Sequence, residues 1–267
     1  MTWDSFPTND GTSIPGIAFG TWTLGGGTQG TAYIGQAICV GFSHIDTAQM
    51  YGNETEAGRA IRESGLAREE VYITTKYSGT NGLDIETSIR DSLRYLGVDY
   101  VDLYLIHFPH LATPDIPTAW AKMEKIKQEG LAKWSIGVSN FGVPELQILL
   151  DSAKIKPAAN QIELHPYSFA QQLPTIELAK EHGIVIEAFS ILFPLTRQPG
   201  GPVDKPVNTI AERLKVHPEQ VLLAWAKSKG VVVVTSSRKR ERLKGYISAG
   251  DIDLTVEDIA SIDGAGT

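Results

Sequence analysis

The stretch Ile85-Glu-Thr-Ser-Ile89-Arg-Asp-Ser-Leu93-Arg-Tyr-Leu96-Gly97-Val-Asp-Tyr-Val101-Asp-Leu-Tyr-Leu-Ile106 changes its periodicity once, at Gly97. Before the glycine, Ile85, Ile89, Leu93 and Leu96 fall three and four residues apart and share one face of a helix. After it, Val101–Ile106 is a short, largely apolar run of strand length. Glycine readily takes the left-handed conformation just past a helix end, so the stretch reads helix, stop, strand.

The same order recurs along the chain. Cys39-Val-Gly41 leads into residues 42–46, Glu63-Ser-Gly65 precedes 71–75, and Gln128-Glu-Gly130 leads into 134–138. Glu181-His-Gly183 leads into 184–189 and Ser228-Lys-Gly230 into 231–235. Pro157 replaces glycine as the stop before Ala159–Glu163, and an earlier strand at Ile17–Gly20 completes eight. Ala119, Met123 and Ile126 again mark one helical face. Strands alternating with helices imply parallel strands joined by crossover helices, and nearly continuous apolar runs imply strands buried on both faces. Eight such units predict an α/β fold, a closed (β/α)8 TIM barrel, with residues 1–267 as a single domain because no linker interrupts them. Residues 2–14, with the turn signal Thr8-Asn-Asp-Gly11, are expected to form an N-terminal β-hairpin closing the bottom of the barrel. Residues 192–207, rich in proline and glycine, are expected to form a long irregular loop with a functional role.

Composition narrows the function. Twenty-four basic against 31 acidic residues give a net charge of −7, the wrong sign for a nucleic-acid binder. One cysteine, Cys39, allows no internal disulfide and no multi-cysteine zinc site; it is expected to pack near the end of the first helix. No apolar run is long enough to span a membrane, and the start lacks a signal-peptide pattern, so a cytoplasmic protein is expected.

A glycine run, Gly25-Gly-Gly27-Thr-Gln-Gly30, matches the dinucleotide fingerprint, and Asp46 ends the next strand near where a ribose-binding acid would stand. A doubly wound dehydrogenase is therefore the competing fold. The run begins several residues after the strand, too late for the tight first turn that sets pyrophosphate on a helix. That fold would also leave the later strand ends without a shared purpose.

In a barrel, chemistry sits at the carboxyl ends of the strands. Those ends carry Asp46 with Tyr51 beyond it, Lys76, His107, Ser139 and Asn140, Gln161, Phe189 and Ser190, then Ser236, Ser237 and Arg238. A buried Lys76 needs a counter-charge, which Asp46 can supply. A cation beside the Tyr51 phenol favours its anion and is expected to lower its pKa toward neutrality, making a general acid. His107 can hydrogen-bond the same oxygen. A proton donor, a carbonyl clamp and no metal-ligand set point to carbonyl reduction with hydride from a cofactor.

The segments Gly41-Phe-Ser-His-Ile-Asp-Thr-Ala-Gln-Met-Tyr-Gly-Asn-Glu54, Val101-Asp-Leu-Tyr-Leu-Ile-His-Phe-Pro109, Ile136-Gly-Val-Ser-Asn-Phe141 and Asn160-Gln-Ile-Glu-Leu-His-Pro166 resemble the aldo-keto reductases over nearly the whole length. The resemblance implies Asp46, Tyr51, Lys76 and His107 as a catalytic tetrad, with Tyr51 the proton donor. It implies Ser139, Asn140 and Gln161 on the nicotinamide carboxamide, Phe189 stacked on the ring, and Ser190 and Leu192 at the pyrophosphate beneath a loop of residues 192–207. Thr21 and Trp22 would line cofactor and substrate. That family has no Rossmann domain, so the glycine run becomes a loop.

The chain departs from the family pattern in two places. After the eighth strand, a lysine–serine pair followed by an arginine and an asparagine is met by Ser236, Ser237, Arg242 and Tyr246. Arg238, Lys239, Arg240, Arg242 and Lys244 nevertheless make this stretch basic. A 2′-phosphate explains such a patch, so NADPH is the expected cofactor, with Arg242 and Arg238 on the phosphate. The usual tryptophan two residues past the catalytic lysine is Ser78, so a wide pocket walled by Trp22, Ser78, Phe108 and His110 is expected. It would accept aldehydes and activated ketones such as α-dicarbonyls and keto-lactones. His165 is expected to cap backbone in its loop and His44 to be structural. Relatives of this kind also serve as regulatory subunits that hold cofactor and bind a partner protein. The intact tetrad favours catalysis on a small carbonyl substrate, with no obligate protein partner.

Overall fold

The computed structural model describes residues 3–267; Thr2, where the expected hairpin segment begins, lies outside them. Two short antiparallel strands, β1 (Phe6–Pro7) and β2 (Ser13–Ile14), form the expected hairpin, with Gly11 at φ 83° in its turn. Eight parallel strands then close into a barrel: β3 (Ile17–Gly20), β4 (His44–Asp46), β5 (Tyr72–Tyr77), β6 (Val101–Ile106), β7 (Ala132–Ser139), β8 (Ala159–Glu163), β9 (Val185–Phe189) and β10 (Val232–Thr235). β10 pairs with β3, leaving no open edge. Helices α1 (Gly27–Cys39), α2 (Glu54–Glu63), α3 (Ile85–Leu96), α4 (Ile116–Gln128), α5 (Val143–Ser152) and α6 (Pro166–Glu181) form the first crossovers. They are followed by α7 (Phe193–Thr196), α8 (Asp204–Leu214), α9 (Pro218–Ser228), α10 (Arg240–Ser248) and α11 (Val256–Gly266). Among the described residues, no helix is long and apolar enough to cross a membrane.

The strand period of two sorts side chains onto two surfaces. Ile73, Val101, Tyr104, Ile106, Ile136 and Val233 face outward into one continuous core with the helices. Leu103, Leu105, Ala159, Val185 and Val232 face inward and form a separate apolar cluster inside the barrel. Ile14 of the hairpin is fully buried in that inner cluster, with Phe6 packed against it, so the hairpin stoppers the end of the barrel where the strands begin. Above this apolar layer the interior is polar, with Asp46, Lys76, Gln161 and Glu187 all buried. The strand runs are thus less uniformly apolar than their composition suggests.

Three expectations are corrected. Cys39 is exposed, since α1 turns it away from the core that Ile34, Ala37 and Ile38 enter. The glycine run is not wholly a loop: Gly27 and Gly30 lie in the first turn of α1, and Gly26 is its N-cap. The Glu56 carboxylate accepts from the Gly27 N–H at 2.7 Å, so the protein's own anion sits on the helix end that a dinucleotide phosphate would need. Residues 192–207 are not wholly irregular either, because α7 and the start of α8 fall inside them.

Close helix packing relies on Gly58. A Cβ there would come within 2.0 Å of the Leu96 carbonyl oxygen at the end of α3. Arg62, one turn on, donates to the same oxygen at 2.8 Å. The obstacle is backbone and cannot rotate away, so α2 and α3 would have to separate. Gly58→Ala is therefore expected to destabilise the fold by about 3 kcal/mol, the upper range for overpacking, read as a lower urea midpoint at unchanged slope.

Candidate active site

Lys76 ends the inward-facing series Tyr72, Thr74, Lys76 of β5, and the barrel leaves its ammonium fully buried. Its three hydrogens have three acceptors: Asp46 Oδ1 at 2.7 Å, the Thr47 carbonyl at 2.9 Å and the Tyr51 hydroxyl at 3.4 Å. Burial alone would lower the lysine pKa, but the attraction of Asp46 and Tyr51 outweighs it, and the net direction is upward. The ammonium is thus a permanent charge.

Asp46 closes β4, and its second oxygen, Oδ2, accepts from Gln161 Nε2 at 2.8 Å. The same Gln161 nitrogen reaches Glu187 Oε2 at 3.0 Å. Two carboxyl acceptors hold the amide nitrogen inward, so the Gln161 oxygen is left for a donor at the barrel mouth. Ser139 and Asn140 stand beside it: Ser139 Oγ donates to the Gln161 carbonyl at 2.8 Å, and Asn140 Nδ2 reaches Ser139 Oγ and the His107 carbonyl, each at 3.0 Å. Asn140 and Ser190 both adopt a left-handed backbone, each at φ 61°. These turns carry the chain across the strand ends.

Tyr51 sits in a single helical turn, Gln49–Tyr51, after β4, and the His107 ring meets it edge-on at 5.6 Å between centroids. Burial is the largest influence on the Tyr51 phenol and raises its pKa. Lys76 acts in the opposite direction, but Asp46 offsets part of its charge. The expected shift toward neutrality is therefore reversed: Tyr51 is firmly protonated. His107 is held neutral, its pKa pushed down to about 3 by burial and then by Lys76. Its Nδ1 lies 2.9 Å from the Ser78 hydroxyl.

The remaining predicted residues divide by position. Phe108 stacks on His107 at 4.6 Å and on the exposed His110 at 5.5 Å, a short aromatic ladder leading out of the site. Trp22 is 60% exposed just beyond the end of β3. Thr21, by contrast, is fully buried, and its hydroxyl is committed to Thr47 at 2.9 Å and Asn53 at 3.0 Å, so its side chain supports the site from behind rather than lining it. Phe189, Ser190 and Leu192 are half-buried at the end of β9. His165 does not cap backbone with its ring; the Ser168 hydroxyl takes its backbone N–H, and the ring stacks on Phe193 at 4.4 Å. That contact holds α7 against the start of α6. Ser236, Ser237, Arg238 and Arg242 follow β10 at the surface. Arg238 donates to the Thr23 carbonyl at 2.5 Å, and Arg242 Nε lies 3.5 Å from Glu219. Tyr246, standing where the family has an asparagine, is buried in the core. Among the described residues there is no cluster of metal-ligating side chains.

The profile of the aldo/keto reductase family matches residues 16–266. The chain belongs to the aldo/keto reductase family. It is 39% identical over 234 residues to an NAD/NADP-dependent indole-3-acetaldehyde reductase of Schizosaccharomyces pombe, covering 86% of this chain and 81% of that one. It is 35% identical to an aldehyde reductase of Saccharomyces cerevisiae, covering 96% and 90%. Among solved structures, an aldo/keto reductase from Brucella melitensis superposes with a TM-score of 0.89 at 34% identity, covering 98% and 99%. A Bombyx mori aldo-keto reductase in complex with NADP gives 0.89 at 31% identity, covering 98% and 92%. As a member of this family the chain is an NAD(P)-dependent oxidoreductase acting on carbonyl groups.

The residues present fit a nicotinamide cofactor. The Gln161 side-chain oxygen, with its amide nitrogen committed to Asp46 and Glu187, suits a carboxamide N–H, the half-buried Phe189 ring offers a stacking face, and the basic stretch after β10 suits phosphate.

Several residues that matter escaped the motif reading. Asn53 ties the ends of β3 and β4 together through Thr21 and Thr47. Glu54, buried at the start of α2, accepts from Thr75 Oγ1 at 2.6 Å. Glu187 is fully buried within β9, Oε1 without a hydrogen-bond partner, its pKa pushed up to about 7 by burial and then by the charge of Asp46. An acid amid the apolar run Val185–Phe189, on the same alternation as Phe189, was the available signal.

Glu187 binds its proton more tightly in the folded chain than in the unfolded one, so its contribution to stability is present below about pH 4.5 and is lost as pH rises through about 7. Against wild type, Glu187→Gln is expected to gain stability progressively between pH 5 and 8, by roughly 3 kcal/mol at most, as 2.5 pK units imply. Urea titrations of both proteins across that range test this; a constant difference would mean that Glu187 does not titrate there.

Proposed function

We propose that this chain, acting as one barrel domain, reduces aldehydes and activated ketones, α-dicarbonyls and keto-lactones among them, to alcohols with NADPH. The observation that carries the reading is the meeting of four side chains from the ends of three neighbouring strands, β4, β5 and β6: Asp46, Tyr51 and Lys76 in direct contact, with His107 edge-on to the phenol. The two yeast relatives, an indole-3-acetaldehyde reductase and an aldehyde reductase, support the substrate class.

When bound, the reduced nicotinamide supplies the hydride. Gln161, Ser139 and Asn140 would hold its carboxamide, and Phe189 would pack on the ring. The neutral His107 orients the carbonyl oxygen by hydrogen bonding. Tyr51 delivers its proton to that oxygen as negative charge grows there. Lys76, 3.4 Å away, stabilises the phenolate left behind, and Asp46 keeps the ammonium in place. A phenol with a raised pKa is well suited to this sequence, because it holds the proton until the oxygen has become basic. Aldehydes and α-dicarbonyls, whose carbonyl carbons are electrophilic, need least assistance. Ser78 in place of a large aromatic widens the entrance.

Tyr51→Phe is expected to lower kcat for aldehyde reduction by at least 100-fold, the usual scale of a lost general acid, with cofactor affinity little changed. Loss of NADPH absorbance with a panel of aldehydes, ketones and dicarbonyls provides the assay. Tight cofactor binding without turnover in wild type would favour the regulatory-subunit reading instead.

Cofactor choice rests on Arg242 and Arg238. Glu219 meets Arg242 through Nε, which leaves the terminal nitrogens for bidentate phosphate binding. Arg242→Ala is expected to weaken NADPH about tenfold while leaving NADH unchanged, measured by fluorescence titration. Equal wild-type efficiency with both cofactors would sink the assignment.

A further inference from the structure

The Ser78 hydroxyl has two polar neighbours, His107 Nδ1 at 2.9 Å and the Lys76 carbonyl at 3.4 Å. Only the first distance is that of a well-formed hydrogen bond. His107 is neutral, so one ring nitrogen carries a hydrogen and the other accepts. Which of them does so is decided by the hydrogen bond its neighbour makes. His107 Nε2 has no hydrogen-bond partner among the described residues, and its ring faces Tyr51.

Ser78 is itself anchored. Gln49 Oε1 accepts from the Ser78 N–H at 3.2 Å and the Thr80 N–H at 3.4 Å, while Gln49 Nε2 donates to Ser88 Oγ at 3.2 Å. Gln49 lies in the same short turn as Tyr51. One side chain therefore ties the segment bearing the proton donor to the segment that holds His107. The histidine's place is fixed from its own backbone too, since its N–H donates to the Tyr77 carbonyl and its carbonyl accepts from Asn140.

We propose that Ser78 is a positioning residue: clamped by Gln49, it donates to His107 Nδ1 and thereby selects the tautomer whose Nε2–H is free to hydrogen-bond the substrate carbonyl. A histidine with Nδ1 protonated would present a bare Nε2 lone pair to that oxygen and repel it. The role deepens the carbonyl-reductase reading and rests on it. It rests on the residue present, because a hydroxyl held 2.9 Å from Nδ1 can donate to it, which an alanine there could not do.

The test reads the ring directly. Among six histidines, the His107 signals are assigned in ¹⁵N-histidine-labelled protein by their absence from His107→Gln. Long-range ¹H–¹⁵N correlations then distinguish the two tautomers without any turnover. Wild type and Ser78→Thr are expected to show Nε2 protonated and Nδ1 as a hydrogen-bonded acceptor. Ser78→Ala is expected to lose the hydrogen-bonded Nδ1 signature and to lower kcat about tenfold at unchanged KM for NADPH. Ser78→Thr is expected to keep near-wild-type kcat. A wild-type ring protonated on Nδ1, or a Ser78→Ala enzyme with unaltered ring signals and kcat, overturns the proposal. Failure of Tyr51→Phe to lose activity would overturn the proton-donor reading instead, and the tautomer measurement would stand apart from it.

Discussion

A lysine ammonium with no solvent exposure is the constraint around which this barrel is arranged. Moving such a charge out of water costs several kcal/mol even after relaxation, and only close, complete pairing offsets it. Lys76 achieves this by drawing all three partners from the single stretch 46–51: Asp46 at the end of β4, the Thr47 carbonyl that follows it, and Tyr51 in the next turn. Asp46 in turn engages Gln161 on β8, and Gln161 engages Glu187 on β9. The network crosses the interior of the barrel above the apolar layer that Ile14 seals from below. Removing one member would strand a buried charge rather than delete a single contact. Stability and function thus share the same bonds.

The electrostatic balance leaves the candidate site with little net charge and suits it to the proposed reduction. Lys76 and Asp46 form an ion pair, His107 is neutral, Tyr51 is protonated, and Glu187 is poised near neutrality. Reduction places negative charge on the substrate oxygen only as the reaction proceeds. A preorganised phenol with a cation behind it responds to that growing charge without rearranging, which is where such groups contribute most. A tyrosine already ionised would have no proton to give. Burial, by raising the phenol pKa, would keep the proposed donor loaded, and Lys76 would ease the proton's departure.

The barrel was legible because its punctuation is local. Gly97 follows α3 in a left-handed conformation, and the strand after it begins at Val101, as the change of periodicity indicates. The meeting of Asp46, Tyr51, Lys76 and His107 was legible because strand ends are places in sequence as well as in space. What stayed hidden depends on distance and environment. The sign of the Tyr51 shift requires weighing Lys76 against Asp46 and against burial, and none of these magnitudes is written in residue types. Cys39 is one position beyond the buried face of α1, a difference of a single helical step. Gln49 looks like one polar loop residue among several until its amide is seen bridging Ser78, Thr80 and Ser88.

The two helix starts that could attract a phosphate show how the molecule sorts anions. Each presents unsatisfied N–H groups and the positive end of a helix dipole. At α1, whose glycines resemble a dinucleotide fingerprint, Glu56 already occupies the N–H of Gly27, and a phosphate there would meet a carboxylate. At α10 the situation is the reverse. Its N-cap residue, Lys239, makes no side-chain capping bond, and Arg240 and Arg242 stand in the first turn, where the helix dipole disfavours cations. Glu241 within the turn and Glu219 beside Arg242 offset part of the repulsion there. A helix start that accumulates cations against its own dipole is stabilised by an external dianion, and a 2′-phosphate is one. The same physical rule that makes the glycine run a false signal therefore favours the basic stretch after β10 as the phosphate end of the cofactor site.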